Sequence, residues 1–333
     1  QTPVNVTLSN GSVITIKAGE STGTVVVDTP VNDVYNNGST VSTTITGATG
    51  GNFENLVPNT TPAVTTITDS IDTTTVTLTA GSTVTEGGQI TYTATLTNPA
   101  QTPVNVTLSN GSVITIKAGE STGSVVVDTP ANDVYVNGST VSTTITGATG
   151  GNFESLVPST TPAVTTITDS IDTTTVTLTA PTEANEGGQV TYTATLSNKA
   201  GTDVTLKLDN GSSITIKAGE TVGTVTVPAP TDDVFIDKST QTVKITETTG
   251  GNFEKLEVAG NGATTTINDT IDKVDVVLTA TTTVGEGGNI VYTASLVDKN
   301  GAPVTNITNP LTVTLDNGKT ITIGVNQSSG SVS

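Results

Sequence analysis

The feature that most constrains this chain is its internal period. Residues 1–71 return as 101–171 with five differences: Thr24/Ser124, Val31/Ala131, Asn36/Val136, Asn55/Ser155 and Asn59/Ser159. A more divergent copy begins at Gly201, where Asn210-Gly211-Ser212-Ser213-Ile214-Thr215-Ile216 answers Asn110-Gly111-Ser112-Val113-Ile114-Thr115-Ile116. A fourth begins at Gly301, gains seven residues around 305–310, and reaches Asn317-Gly318-Lys319-Thr320-Ile321. A period of 100 residues is too long for a solenoid turn or a propeller blade, and it matches one domain. The chain is a row of like domains.

The strongest punctuation is Thr68-Asp69-Ser70-Ile71-Asp72, which recurs as Thr168-Asp169-Ser170-Ile171-Asp172 and Asn268-Asp269-Thr270-Ile271-Asp272. It separates two alternating apolar/Thr runs with no hairpin signal between them, so it reads as a linker. Complete domains are therefore expected at 72–171 and 172–271. Residues 1–71 are expected to be the back part of another domain and 272–333 the front part of a fourth, in a segment cut from a longer array.

Within 72–171 the period-2 alternation predicts strands at 75–79, 90–96, 104–108, 113–116, 123–127, 140–145 and 163–167. The Asn110-Gly111 pair supplies the two positive-φ positions of a tight hairpin between the third and fourth. Seven short strands in one domain length, broken by Gly, Pro and Asn, predict an all-β fold: tandem Ig-like antiparallel β-sandwich domains in an extended array. Thr makes up about a quarter of the chain and suits the solvated face of such strands, being β-branched and hydroxylated. The same Thr-x-Thr arrays could form an ice- or mineral-binding face only if flat and regular, which a twisted sandwich does not provide.

Composition removes most chemistry. His and Cys are absent, so the usual catalytic triads, imidazole or thiolate metal sites and disulfides are excluded. All 11 basic residues are Lys, set against 30 acidic ones for a net charge of −19, which repels phosphate backbones and argues against nucleic acid. No apolar run is long enough to span a bilayer as a helix. The same charge should keep neighbouring chains apart at low salt, so a monomer is expected.

Carboxylates are the groups left. With strands running alternately up and down, the first loop, the loop near 130 and the end of the last strand lie at one pole of each domain. For 72–171 that pole collects Glu86, Asp133 with Asn132, Asp169 and Asp172; for 172–271 it collects Glu186, Asp232, Asp233, Asp269 and Asp272. The preceding junction shows Asp33, Asp69 and Asp72, and the facing loop of the next domain could add Asn252 or Glu254. Converging carboxylates repel unless a cation neutralises them, and hard, flexible oxygen donors suit Ca²⁺. A paired-carboxylate glycosidase is disfavoured because no aromatic-lined cleft accompanies the acids. An enzyme is not expected.

Several motifs in order resemble a known family: Val-Thr-Glu-Gly-Gly-Gln-Ile-Thr-Tyr-Thr-Ala-Thr-Leu (84–96), Asn-Gly-Ser-Val-Ile-Thr-Ile (110–116), Asn-Asp-Val-Tyr (132–135), Gly-Gly-Asn-Phe-Glu (150–154) and Ile-Thr-Asp-Ser-Ile-Asp (167–172). They resemble the extender repeats of giant, type I-secreted RTX adhesins of the LapA kind and of a marine ice-binding adhesin. The resemblance implies Ig-like domains in tandem, Ca²⁺ at the linkers, and a bacterial cell-surface filament that carries a distal adhesive tip in biofilm formation. Contacts would then be with neighbouring repeats of the same chain. Two functions remain: an extender that sets distance, or a module that itself grips a glycan or protein through a loop such as 147–162. Near-identity of the first two copies favours the extender.

Overall fold

A computed structural model describes residues 2–333; among them there is no helix, and every regular element is a strand. The chain divides into two compact units. Residues up to Asn132 with Asn137–Ser170 form the first, and Asp133–Val136 with Ile171–Ser333 the second.

In the first unit, residues 72–132 and 137–170 form a sandwich. One sheet runs in the order Thr122–Asp128, Gln89–Leu96, Thr73–Thr79, Ser155–Pro158. The other face is in two pieces: Ser139–Thr143, Ala163–Thr168 and Thr83–Thr85 form one, and Val113–Ile116, Val104–Leu108 and Ile145–Gly150 the other. Alternation decides what is inside: in Gln89–Leu96, Ile90, Tyr92, Ala94 and Leu96 are buried while Gln89 and Thr91 face out. Both faces share one core, with Val76, Tyr92, Val104, Val106, Ile114 and Ile116 essentially excluded from water. Each such side chain contributes about 1.5–3 kcal/mol by burial.

In the second unit, segment 172–271 repeats this arrangement around its own core of Tyr192, Leu206, Ile214 and their neighbours. Segment 272–333 holds a three-stranded sheet, Asp275–Ala280, Tyr292–Val297 and Ser329–Val332, beside the hairpin Leu311–Thr314/Thr320–Ile323, over a smaller core.

Strand alternation does not foretell two elements. Thr83–Thr85 runs parallel to Ala163–Thr168, because the chain breaks at Ala80-Gly81-Ser82 and changes sheets. Ser155–Pro158, inside the expected loop 147–162, runs parallel to Thr73–Thr79 and covers its edge. Both are too short to carry a period. The strand expected at 140–145 also divides: beyond Thr144 the chain continues as Ile145–Gly150, with a register shift between Ile145 and Gly147.

Candidate metal centre

Main-chain bonds build the acidic pole. In the first unit the Glu86 amide donates to the Thr168 carbonyl at 3.0 Å and the Gly87 amide to the Pro130 carbonyl at 2.7 Å. The first loop, the loop near 130 and the end of the last strand therefore meet, as the connectivity predicts. Glu86 is buried, and one of its carboxylate oxygens accepts the Ser170 amide at 3.3 Å. Ser170 in turn bonds Asn132 through its hydroxyl. Asp169 comes within 4.8 Å of Glu86, oxygen to oxygen. Its Oδ2 accepts the Asn137 amide at 3.2 Å, whereas its Oδ1 is shielded from solvent and receives no hydrogen bond.

The second unit repeats the construction. The Glu186 amide donates to Asn268 at 3.0 Å and the Gly187 amide to Pro230 at 2.6 Å. Glu186 is only 7% exposed, and its Oε1 accepts the Thr270 amide at 2.9 Å. Glu186, Asp237 and Asp269 each place a carboxylate oxygen within 4.8 Å of the others, and Asp269 Oδ1 is shielded with no donor. The Thr270 amide draws the Glu186 pKa down. Desolvation, the abutting Asp269 carboxylate and the charges of Asp269 and Asp237 outweigh it, so the pKa is raised. Three like charges so close, one of them buried, make a site that can hold a metal ion. The donor set is oxygen throughout, which fits a hard divalent cation.

The other predicted residues bond groups of their own loops or of neighbouring segments. Asp33 accepts the Tyr35 amide at 2.8 Å and the Asn37 side-chain amide at 2.9 Å. Asp69 accepts the amides of Asn37 and Gly38 at 3.0 and 2.9 Å, and Asp72 accepts Asn32 Nδ2 at 2.6 Å. Asp133 and Asp172 belong to the second unit, Glu86 and Asp169 to the first. There Asp133 accepts the Tyr135 amide at 2.7 Å, and the Asp172 amide donates to Glu254 at 2.5 Å. Asp233 accepts the Phe235 amide at 2.7 Å, Asp232 is bonded by the Thr270 hydroxyl, and Asp272 pairs with Lys299 at 3.1 Å. Asp237 was not singled out from sequence. The available signal was its register, since Asn37 and Asn137 stand at the same place in the period.

A second device adjoins the acids. In the first unit Tyr35 stacks on Phe153 with ring centroids 5.6 Å apart. Around that stack the Asn36 amide donates to Asn152 O at 2.9 Å, the Glu154 amide to Val34 O at 3.0 Å and the Tyr35 hydroxyl to Pro99 O at 2.7 Å. A Glu154 carboxylate oxygen also accepts the Asp72 amide at 2.6 Å. In the second unit Tyr135, Phe253 and Glu254 repeat the pattern, with centroids 5.8 Å apart. The Gly150-Gly151-Asn152-Phe153 turn aims these groups, with Asn152 in the left-handed region at φ 60°.

The profile of the LapA domain matches residues 1–70, 72–170, 172–270 and 272–333, nearly the whole chain in four tandem spans. The chain belongs to the LapA domain family. This family member is also similar to a solved tetra-tandem repeat from the extending region of a large adhesion protein, at 16% identity. The match covers 99% of this chain and 82% of that one with a TM-score of 0.30, a likeness too weak to argue from. No curated protein sequence matches.

Proposed function

We propose that this chain is an extender segment of a bacterial cell-surface adhesin, built from repeats bounded near Asp72, Asp172 and Asp272, which separates an adhesive tip from the cell and catalyses nothing. The observation that carries this reading is the LapA domain match across all four repeats. The alternative, an adhesive loop at 147–162, is weakened because that segment is already used: Ser155–Pro158 pairs with Thr73–Thr79, and Glu154 holds the Asp72 amide.

Ca²⁺ is the ion proposed for the carboxylate centres. Extracellular sites of this donor type bind with dissociation constants on the order of 10⁻⁴–10⁻³ M, so external fluid would fill them while a bacterial cytosol would leave them empty for export. The RTX character, type I secretion and biofilm role follow from the family resemblance. Bound Ca²⁺ would fix the joints between repeats. Small-angle scattering tests this: EDTA should shorten the maximum dimension, and Asp169→Ala with Asp172→Ala should reproduce part of the effect. An unchanged dimension with and without Ca²⁺ would remove the rigidifying role. Retention of glycan or surface binding by the isolated segment would favour the adhesive alternative.

A further inference from the structure

We infer that the chain binds a second copy of itself by strand exchange, residues 39–67 of one copy completing the sandwich begun by residues 272–333 of another. The two parts are unfinished in reciprocal ways. In the first unit Ser155–Pro158 pairs with residues 73–76, and residues 166–168 pair with Thr83–Thr85. Residues 55–58 differ from 155–158 only at Asn55, yet they form no strand. Residues 283–285 also form no strand, although 83–85 and 183–185 do. Each segment lacks what the other part carries: Asp275–Ala280 for the first and Ala63–Ile67 for the second.

The open apolar faces match in the same way. Val276 and Leu278 are each 49% exposed and Ile290 42%, against 0%, 6% and 5% for Val76, Leu78 and Ile90, which share a core with Ile145 and Ala163. In the other part the counterparts Ile45 and Ile67 are only half-buried and Ala63 is exposed. With Leu8 and Ile14 they line a groove of about 640 Å³. The strand pair that would cover it already has the right register. Val276 faces Leu296 and Leu278 faces Ala294, as Val76 faces Leu96 and Leu78 faces Ala94.

Which part gives way follows from where a core exists. Residues 272–333 bury Ala294, Leu296, Ile321 and Ile323 together, whereas Val4 is the one buried large apolar side chain among residues 2–71. Both parts carry the Asn-Gly hairpin, at 4–16 and at 311–323, and one sandwich has room for one. The hairpin seated on a core stays. Ile45–Gly50 therefore leaves residues 4–8 and pairs with 311–314, as Ile145–Gly150 pairs with residues 104–108. That trade keeps its main-chain bonds satisfied, while the two added strand pairings and the covered apolar surface are gained against the cost of association. The two surfaces differ, so the contact is heterologous and adds chains head to tail.

Sedimentation of the full 333-residue chain tests this in EDTA at physiological salt, where the −19 charge is screened. Mass should rise with concentration from the micromolar range upward, and amide exchange at 55–58 and 283–285 should slow with it. Leu56→Asp and Leu278→Asp lie at positions already open to water, so each variant should fold. Each should weaken the association about tenfold or more. The chain has no Cys, so a Thr66→Cys copy mixed with a Thr283→Cys copy should form a disulfide-linked mixed pair, following the pairing of Thr166 with Thr83. A mass of one chain at every concentration overturns the inference. So does association that neither aspartate substitution weakens, or a mixed pair no more abundant than pairs of like chains. EDTA removes any bound cation, so none of these outcomes depends on the calcium reading.

Discussion

The hydroxyl of Thr143 donates to that of Tyr92 at 2.8 Å in the core of 72–171, where each residue is 1% exposed. One period later Tyr192 is fully buried, Val243 stands in the threonine's place, and the Tyr192 hydroxyl has no hydrogen-bond partner among the described residues. Thr and Val are nearly the same shape, so the two repeats differ here by one hydrogen bond. Val243→Thr should raise stability by about 1 kcal/mol, and Thr143→Val should lower it by about 1–2 kcal/mol because it strands a buried hydroxyl. Urea unfolding of each variant measures both; equal midpoints would show that the pair contributes nothing.

Tyr192 also gives a pH dependence. Burial, and then the charge of Asp209, raise its pKa. The folded state therefore keeps the phenol proton after the unfolded chain has lost it, near pH 10. The resulting stability is fully present below that pH and is lost as pH rises from there towards the folded-state value. Tyr192→Phe should flatten the alkaline arm of a stability–pH curve recorded between pH 8 and 11, without loss at neutrality. A slope unchanged in the phenylalanine variant would assign the alkaline loss to another group.

Gly150 has φ +101°, and a Cβ there would lie 2.2 Å from the Pro103 carbonyl oxygen. Gly150→Ala should cost more than about 2 kcal/mol, since it combines a left-handed conformation with a backbone clash. The loss should appear both in the melting temperature and in faster amide exchange at Glu154, which this turn positions. A melting temperature within a degree of wild type would show that the turn can relax.

The Tyr35–Phe153 rings are neutral, as are the main-chain groups that bond Asn36 to Asn152 and Glu154 to Val34 beside them; the carboxylates at hand are Asp33, on the Tyr35 amide, and Glu154, on the Asp72 amide. Tyr35→Ala should therefore loosen the segment whether or not Ca²⁺ is present, by about 0.5–1.5 kcal/mol for the ring pair. Hydrogen exchange at the Asn36 and Glu154 amides reads this directly. Protection that vanishes on adding EDTA to the wild type would instead make the contact dependent on the ion.

Much of this fold is legible in the chain. The period sets the repeats, the alternation in residues 89–96 sets the strand and its buried face, and Asn110-Gly111 sets the hairpin, all through local geometry that a single strand already expresses. Glu86 and Asp169 could be placed at one pole because strand direction follows from strand count. Asp237 could not be singled out: its role depends on where a loop side chain ends, and one Asp among turn residues carries no pattern. Nor did local sequence reveal that Lys299 would take Asp272. The clearest limit lies in residues 22–28, which differ from 122–128 only at Thr24/Ser124. Residues 122–128 form a strand paired with residues 89–95. No counterpart of 89–96 exists within 1–71, residues 22–28 form no strand, and Val26 is 90% exposed where Val126 is 51%. The sequence of a strand determines its faces; whether it becomes a strand is decided by the partner that satisfies its amides and carbonyls.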